Sequence, residues 1–275
     1  MRSTLNICLS ATNSCLWTNG RLILHFFIKN GGIGLKAVIL AGGTGTRLMP
    51  LTRLFNKHML PVGKLPMIGY AIRKLKEAGV TDIELITGRA SAGLFIDYLG
   101  SGREEGVSLT YRIQEEAGGI AEALQLARPF VGESQKFIVL LGDNLFEDSL
   151  TSYIKAFNDQ EQGAMVLIKR VPDPHRYGVP TFNPAKSRIV AIDEKPAEPK
   201  SDYCVTGIYM YDNRVFSIAE QLQPSKRGEL EITDVNNAYA AAGLLEYMTL
   251  SGWWTDAGTF DSLHDAACKL REGSN

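Results

Sequence analysis

Short, mostly apolar runs recur along the chain from residue 36 onward, with stretches of helical spacing between them. The runs cover residues 37–41, 83–87, 109–113, 137–141 and 164–168. Each has the length of a strand, and runs with little polar alternation are typical of strands buried on both faces. The alternation with helices predicts crossover units and a largely parallel sheet covered by helices on both faces.

One helix stands out between the first two runs. Its apolar residues recur at three- and four-residue spacing, with Pro66 near the start and Gly79 just past the end: Met67, Ile68, Ala71, Ile72, Leu75 and Ala78. Proline at the first turn and glycine after the last are ordinary helix boundaries. We therefore predict a helix over residues 67–78.

After residue 170 proline becomes more frequent, and the strand-like runs are shorter. This change favours a smaller, β-rich second half with partly antiparallel strands, which would close one side of a cleft. We predict one α/β domain over residues 36–270, with a Rossmann-like, mixed but mostly parallel sheet. Its first half would cover residues 36–160 and its second half residues 161–270.

Residues 1–35 differ from the rest, since they show no sustained helical or strand periodicity. We expect an extension that is either disordered or absent from the native protein. In the second case Leu35 would mark the true start, because leucine codons can serve as bacterial initiators.

Charge and cysteine content narrow the functional classes. Lys and Arg number 29 against 30 acidic residues, so the chain lacks the basic excess that nucleic-acid binding needs. No two of its four cysteines have C-x-x-C spacing, which fits a reducing, cytoplasmic setting. The apolar run at 22–28 is far shorter than the roughly 20 residues of a membrane span. We expect neither nucleic acid nor membrane as a partner.

The most distinctive motif is AGGTGTRLMPLT at residues 41–52, directly after the first predicted strand. Gly42, Gly43 and Gly45 allow a sharp turn that presents backbone N–H groups to phosphate oxygens. A dinucleotide fingerprint would need a further glycine at Leu48, and a P-loop would need Gly-Lys-Ser/Thr, so neither motif matches. A purely structural glycine turn is the remaining alternative.

Charged residues near this loop suggest phosphate chemistry. Arg47 and Lys57 could offset the charge of a triphosphate and of departing pyrophosphate. Asp143 follows the strand-like FIVLLG, which would bring its carboxylate to the edge of the sheet beside the glycine loop. Asp256 in WWTDAGT is a second candidate carboxylate, and one or two carboxylates commonly hold Mg²⁺ together with phosphate oxygens.

Eight segments in order resemble the sugar nucleotidyltransferases, and among these the glucose-1-phosphate thymidylyltransferases. They are GGTGTRLMPLT with NKHMLPV, QEEAGGIAEAL, LGDN, RYGV, DEKP, VTGIYMYD, GELEITDVN and WWTDAGT. The resemblance spans roughly residues 36–270 and implies the nucleotide-diphospho-sugar transferase fold. It also implies that dTTP and glucose 1-phosphate react to give dTDP-glucose and pyrophosphate.

The resemblance assigns roles to individual residues. It implies Mg²⁺ on Asp143 and Asp256, with Asp143 also at the substrate, and Arg47, Lys57 and Lys195 as catalytic cations. It implies further substrate contacts: Gly42, Gly43, Gly45, Thr46, Gln114, Gly119, Gly178, Glu194, Val205 and Trp254. Gln114 and Gly119 would face the base, whereas Glu194, Lys195 and Gly178 would face the sugar phosphate. In this chain Gly118 stands where an acidic residue is usual.

Three alternatives stay open at this point. A related pyrophosphorylase using UTP would share the phosphate and metal residues, because uracil and thymine differ by one methyl group. A non-catalytic nucleotide-sugar sensor could share the fold, although such a protein is expected to have lost a charged catalytic position. The oligomeric state is also open, with a homo-oligomer as one alternative.

Overall fold

A computed structural model describes residues 16–18, 21–23, 34–133 and 136–272 of the chain. Its strands are β1 Leu16–Thr18, β2 Arg21–Ile23, β3 Lys36–Ala41, β4 Pro61–Val62, β5 Leu65–Pro66, β6 Asp82–Gly88, β7 Ser108–Gln114, β8 Phe137–Leu141, β9 Asn144–Phe146, β10 Ala164–Arg170, β11 Gly178–Phe182, β12 Ile189–Glu194, β13 Tyr203–Tyr211, β14 Leu245–Thr249 and β15 Trp254–Asp256. Its α-helices are α1 Met67–Glu77, α2 Ala92–Leu99, α3 Ile120–Leu126, α4 Arg128–Val131, α5 Thr151–Asp159, α6 Arg214–Ala219, α7 Ile232–Ala241 and α8 Phe260–Glu272. Short 3-10 helices cover Thr46–Leu48, Leu51–Arg53, Lys57–Met59, Arg89–Ser91 and Pro174–Arg176.

The chain divides into two compact units, residues 1–34 and residues 35–275. In the first unit, β1 and β2 pair antiparallel, with Leu16 opposite Ile23. The sequence pattern did not indicate these two strands. Most of the predicted extension over residues 1–35 lies outside the described residues, so that expectation stays a prediction.

A nine-stranded sheet organises the second unit. Seven strands follow the order β12-β11-β13-β8-β3-β6-β7; β10 also pairs with β13, and β14 pairs with β10. The strands β8, β3, β6 and β7 are parallel neighbours, whereas β13 is antiparallel to β8 and to β10. The predicted mixed, mostly parallel sheet flanked by helices is therefore confirmed.

Both faces of the sheet are buried, as β3 illustrates. Ala37 and Ile39 belong to a core cluster that includes Ile72 of α1, whereas Val38 and Leu40 belong to a cluster on the opposite side that includes α3, α6 and α7. Because successive strand residues point to opposite faces, a strand covered on both sides must be apolar at nearly every position. This explains why the unbroken run AVILA was readable as a strand.

The predicted elements agree closely with the observed ones. All five predicted strands exist, with ends within two residues of the prediction, and the predicted helix is α1. Pro66 is its N-cap residue, and Gly79 follows its end with a φ of 79°. Within the described part of the chain, no helix is both long enough and apolar enough to cross a membrane.

Candidate active site

The glycine loop lies between the carboxyl end of β3 and the 3-10 turn at Thr46–Leu48. Gly45 has a φ of 65°, and a Cβ atom there would lie 2.9 Å from both Thr52 Cγ2 and Lys57 Cβ. Backbone conformation and space therefore both require glycine at this position. The loop is packed against the Lys57 side chain, which fixes that cation beside the predicted phosphate-binding N–H groups.

Lys57 forms an ion pair with Asp143 at the same edge of the sheet. The distance from Lys57 Nζ to Asp143 Oδ2 is 2.5 Å, and both side chains are largely buried. The two segments meet because β3 and β8 are parallel neighbours, and Gly142 N donates to Leu40 O at 2.9 Å. Burial raises the pKa of Asp143, but the charge of Lys57 and the hydrogen bonds from Lys57 and Asn144 together hold the pKa below its usual range.

Asp256 approaches the same point from the second half of the chain. It lies opposite Asn144 in the β15–β9 pair, and Ala257 N donates to Asp143 O at 2.9 Å. Tyr177 Oη donates to Asp256 Oδ1 at 2.9 Å. Burial raises the pKa of Asp256, and the negative charge of Asp143 raises it further.

Two adjoining cavities share part of their lining. The first has a volume of about 360 Å³ and the second about 500 Å³, and both are lined by Arg47 and Asp143. Volumes in this range are ordinary for small-ligand sites. The arrangement offers two neighbouring compartments with a cation and a carboxylate where they meet.

Every residue predicted for the site lies in one of these cavities. The first cavity is also lined by Gly42, Gly43, Gly45, Thr46, Lys57, Gln114 and Gly119. The second cavity is also lined by Gly178, Glu194, Lys195, Val205, Trp254 and Asp256. The roles assigned to these residues remain predictions, although their proximity to one another is an observation.

The second cavity is built on three adjacent strands. Gly178 of β11 lies opposite Glu194 of β12 and opposite Val205 of β13. Glu194 Oε2 accepts from Thr233 Oγ1 at 2.6 Å. Lys195 directly follows β12 and has a φ of 45°, an unusual backbone conformation for a residue other than glycine. Such strain is common at functional sites, where the surrounding structure maintains it.

Aromatic residues form one wall of the second cavity. Trp254 Nε1 donates to Asn144 Oδ1 at 2.7 Å, and the Tyr177 and Trp254 rings meet at 69° with centroids 5.4 Å apart. Tyr209 also lines this cavity. Edge-to-face contact and a satisfied indole N–H hold Trp254 in a single orientation.

Sequence reasoning did not single out several polar residues of the site. Arg176, Tyr177, Arg227, Asn144 and Thr233 all line the second cavity. Arg176 and Tyr177 lie in the RYGV segment and Thr233 lies in GELEITDVN, so the motifs contained a signal that was not resolved to single residues. Arg227 pairs with Glu231 at 2.8 Å and lies 3.7 Å from Glu194. It adds a cation to the same end of the cavity as Lys195.

His58 is the one imidazole that lines the first cavity among the described residues. Its ring Nδ1 lies 2.8 Å from Asn56 Oδ1, which orients the ring. Burial lowers the pKa of His58 to about 3, and repulsion from Lys57 contributes. His58 is therefore neutral near pH 7 and supplies no positive charge for a phosphate.

The two aspartates suit a hard divalent cation. They are oxygen donors on adjoining segments, and the mutual repulsion that raises the pKa of Asp256 would be relieved by a cation between them. No cluster of three or more His, Cys, Asp or Glu side chains able to hold a metal occurs in the described ranges. The two carboxylates could hold a divalent cation whose remaining ligands would come from substrate oxygens and water.

The relatives found by comparison with known proteins agree with one another in family and in name. Residues 36–273 match the family model described as Nucleotidyl transferase. The chain is 45% identical over 244 residues to a glucose-1-phosphate thymidylyltransferase of Neisseria meningitidis, covering 88% of this chain and 84% of that protein. It is 42% identical over 240 residues to the enzyme of the same name from Mycobacterium tuberculosis, covering 86% and 82%.

Solved structures show the same fold. A crystal structure from Bacillus anthracis, provisionally designated a glucose-1-phosphate thymidylyltransferase and bound to sucrose, is 53% identical with a TM-score of 0.83, covering 87% of this chain and 96% of that one. A UDP-glucose pyrophosphorylase bound to UDP-glucose is 25% identical with a TM-score of 0.79, covering 88% and 100%.

Proposed function

The chain belongs to the nucleotidyl transferase family, and on this premise we propose that it transfers a thymidylyl group from dTTP to glucose 1-phosphate. The products are dTDP-glucose and pyrophosphate. The observation that carries the proposal is the meeting of two cavities at Arg47 and Asp143, one beside the glycine loop and one beside Lys195. Two phosphate-bearing substrates could meet at that junction.

The proposed reaction needs no covalent enzyme intermediate. An oxygen of the sugar phosphate attacks the α-phosphorus of the nucleotide, and the bond to the bridging β-phosphate oxygen breaks as pyrophosphate leaves with its electrons. Because the attacking oxygen is already negative, no general base is required. The task of the protein is to align two polyanions and to stabilise the charge that moves.

The chain supplies that charge from both sides of the junction. Arg47 lies 3.6 Å from Asp256, and its side chain is more than half exposed, so the guanidinium can turn toward a phosphate. Lys57 lies under the glycine loop, whereas Lys195, Arg176 and Arg227 line the second cavity. Mg²⁺ held by Asp143 and Asp256 would neutralise further negative charge on the nucleotide phosphates.

Two alternative functions have less support. A UTP-using enzyme fits the same phosphate and metal residues, and the UDP-glucose pyrophosphorylase shares the fold at 25% identity. A non-catalytic sensor is disfavoured because Arg47, Lys57, Asp143, Lys195 and Asp256 all line the two cavities. The higher identity to thymidylyltransferases favours dTTP.

A pyrophosphate-release assay tests the proposal. The purified chain is given dTTP or UTP with glucose 1-phosphate or another hexose 1-phosphate, each with and without Mg²⁺. We expect the highest kcat/KM for dTTP with glucose 1-phosphate, and release only when Mg²⁺ is present. A higher kcat/KM for UTP would identify UTP as the nucleotide donor instead of dTTP. If no pair of substrates releases pyrophosphate, the proposed reaction is contradicted.

A further inference from the structure

The terminal amide of Gln114 has a defined orientation in the first cavity. Gln114 ends β7, is 6% exposed, and lines this cavity. One end of the amide lies 3.3 Å from the carbonyl oxygen of Gly119 and also contacts a carboxylate oxygen of Glu122. A carbonyl and a carboxylate can only accept hydrogen bonds, so the atom between them must be the amide nitrogen.

The amide oxygen consequently points the other way. A Cβ atom built on Gly42 would lie 2.6 Å from Gln114 Oε1, so this oxygen faces the glycine loop. The base end of the cavity thus presents a hydrogen-bond acceptor at this point. Thymine and uracil carry an N–H donor at ring position 3, whereas cytosine has a lone pair there, so the acceptor favours the first two bases.

Glu122 holds the amide in this orientation. It belongs to α3, does not line the cavity, and its Oε2 also accepts from Gly118 N at 3.1 Å. A Cβ atom on Gly118 would lie 2.7 Å from that same oxygen. The carboxylate occupies space that is available because position 118 has no side chain. Two donors fix the carboxylate, and the carboxylate fixes Gln114.

We propose that Glu122 is a positioning residue for nucleobase selection, which acts by keeping Gln114 Oε1 turned toward the base. This role rests on the proposed function, because it explains how the same site selects its nucleotide. Without an acceptor at position 122, only the longer contact with Gly119 O restrains the Gln114 amide, which can then turn over and offer its N–H₂ group instead. An amide in that orientation suits the ring nitrogen of cytosine.

Direct nucleotide binding tests this inference without requiring turnover. Dissociation constants for dTTP and dCTP are measured by calorimetry for the full chain and for Glu122→Ala, Glu122→Met and Glu122→Gln. We expect the alanine and methionine variants to lose about tenfold of the preference for dTTP, the usual effect of one mispaired buried hydrogen bond. The glutamine variant should retain most of it, because its amide oxygen can accept both hydrogen bonds.

The methionine variant keeps the length of the side chain, so it tests the role of Glu122 if the alanine variant does not fold. Glu77→Ala is the control, because Glu77 is an exposed residue at the end of α1 and lines neither cavity. An unchanged preference in the folded Glu122→Met variant would overturn the inference. A wild-type chain that prefers dTTP but releases no pyrophosphate would instead contradict the proposed reaction and leave this inference intact.

Discussion

Asp143 is buried and yet charged, a combination that an isolated carboxylate would avoid. Lys57 makes it possible, since the ammonium group 2.5 Å away compensates for the lost hydration. Asn144 Nδ2 donates to the other oxygen at 3.0 Å. These contacts fix the carboxylate in direction as well as in charge, which is what a metal ligand requires.

Replacing Asp143 by Asn separates the charge of this residue from its shape. We expect Asp143→Asn to lower Mg²⁺-dependent kcat/KM by about a hundredfold or more, because metal and Lys57 both lose their charged partner. The fold should persist, which thermal unfolding checks beside the pyrophosphate assay. Asp202→Asn is the control, since Asp202 forms an exposed ion pair with Arg170. Wild-type rates in a folded Asp143→Asn variant would exclude the metal role.

Lys195 offers a second test at a single residue. We expect Lys195→Ala to raise the KM for the sugar phosphate about tenfold and to lower kcat, with little effect on the KM for dTTP, because the residue lines only the second cavity. Steady-state kinetics with each substrate varied in turn measures this. Lys200→Ala is the matched control, because Lys200 pairs with Asp193 on the exposed surface nearby. Unchanged kinetics would count against the assigned role.

The loop before α3 shows how elements from the two halves shape the first cavity. Leu230 N donates to Gly118 O at 2.8 Å, and Ala121 N donates to Leu230 O at 3.1 Å. Gly119 lies inside this connection with a φ of 104°. The segment around residue 230 therefore supports the base end of the cavity from outside.

A methyl group at position 119 should disturb this connection. A Cβ atom there would lie 2.5 Å from Leu230 O, and its φ suits glycine alone. We expect Gly119→Ala to lower the free energy of unfolding by about 1–3 kcal/mol and to weaken dTTP binding. Denaturant unfolding and calorimetry measure the two effects. Gly93→Ala in α2, where nothing lies within 4 Å of the built Cβ, should be neutral or stabilising; an equal loss there would remove the structural argument.

Asn144, close to the site, links three strands of the second unit through hydrogen bonds. This residue is 4% exposed, and its Oδ1 accepts from Gly207 N at 2.8 Å and from Trp254 Nε1 at 2.7 Å. It connects β9 with β13 and β15, which come from the other half of the sequence. One buried amide therefore links the segment that follows Asp143 to strands of the other half.

Removing that amide should affect both stability and turnover. We expect Asn144→Ala to lower the free energy of unfolding by about 2–4 kcal/mol, because two buried donors lose their acceptor. Turnover should fall as well, since Asp143 loses a hydrogen-bond donor. Asn158→Ala on the exposed end of α5 is the control. A stability equal to that of the control would show that the buried donors find other partners.

Features that depend on neighbouring residues were predictable from the sequence. The period of apolar positions identified α1 and five strands of the sheet, because burial on one face or both imposes that period within each element. The glycine loop was recognisable beside β3 for the same local reason. Resemblance of ordered motifs then named the candidate site residues, all of which line the two cavities.

Only the tertiary structure decided which distant residues meet. The antiparallel placement of β13 beside β8, the hydrogen bond from Tyr177 to Asp256, and the contact between Glu122 and Gln114 have no counterpart in local periodicity. Such contacts depend on strand order and on how loops pack across the sheet edge, and many strand orders share one hydrophobic pattern. The chain pattern therefore determined the elements and the chemistry available, whereas folding determined the geometry in which that chemistry is presented.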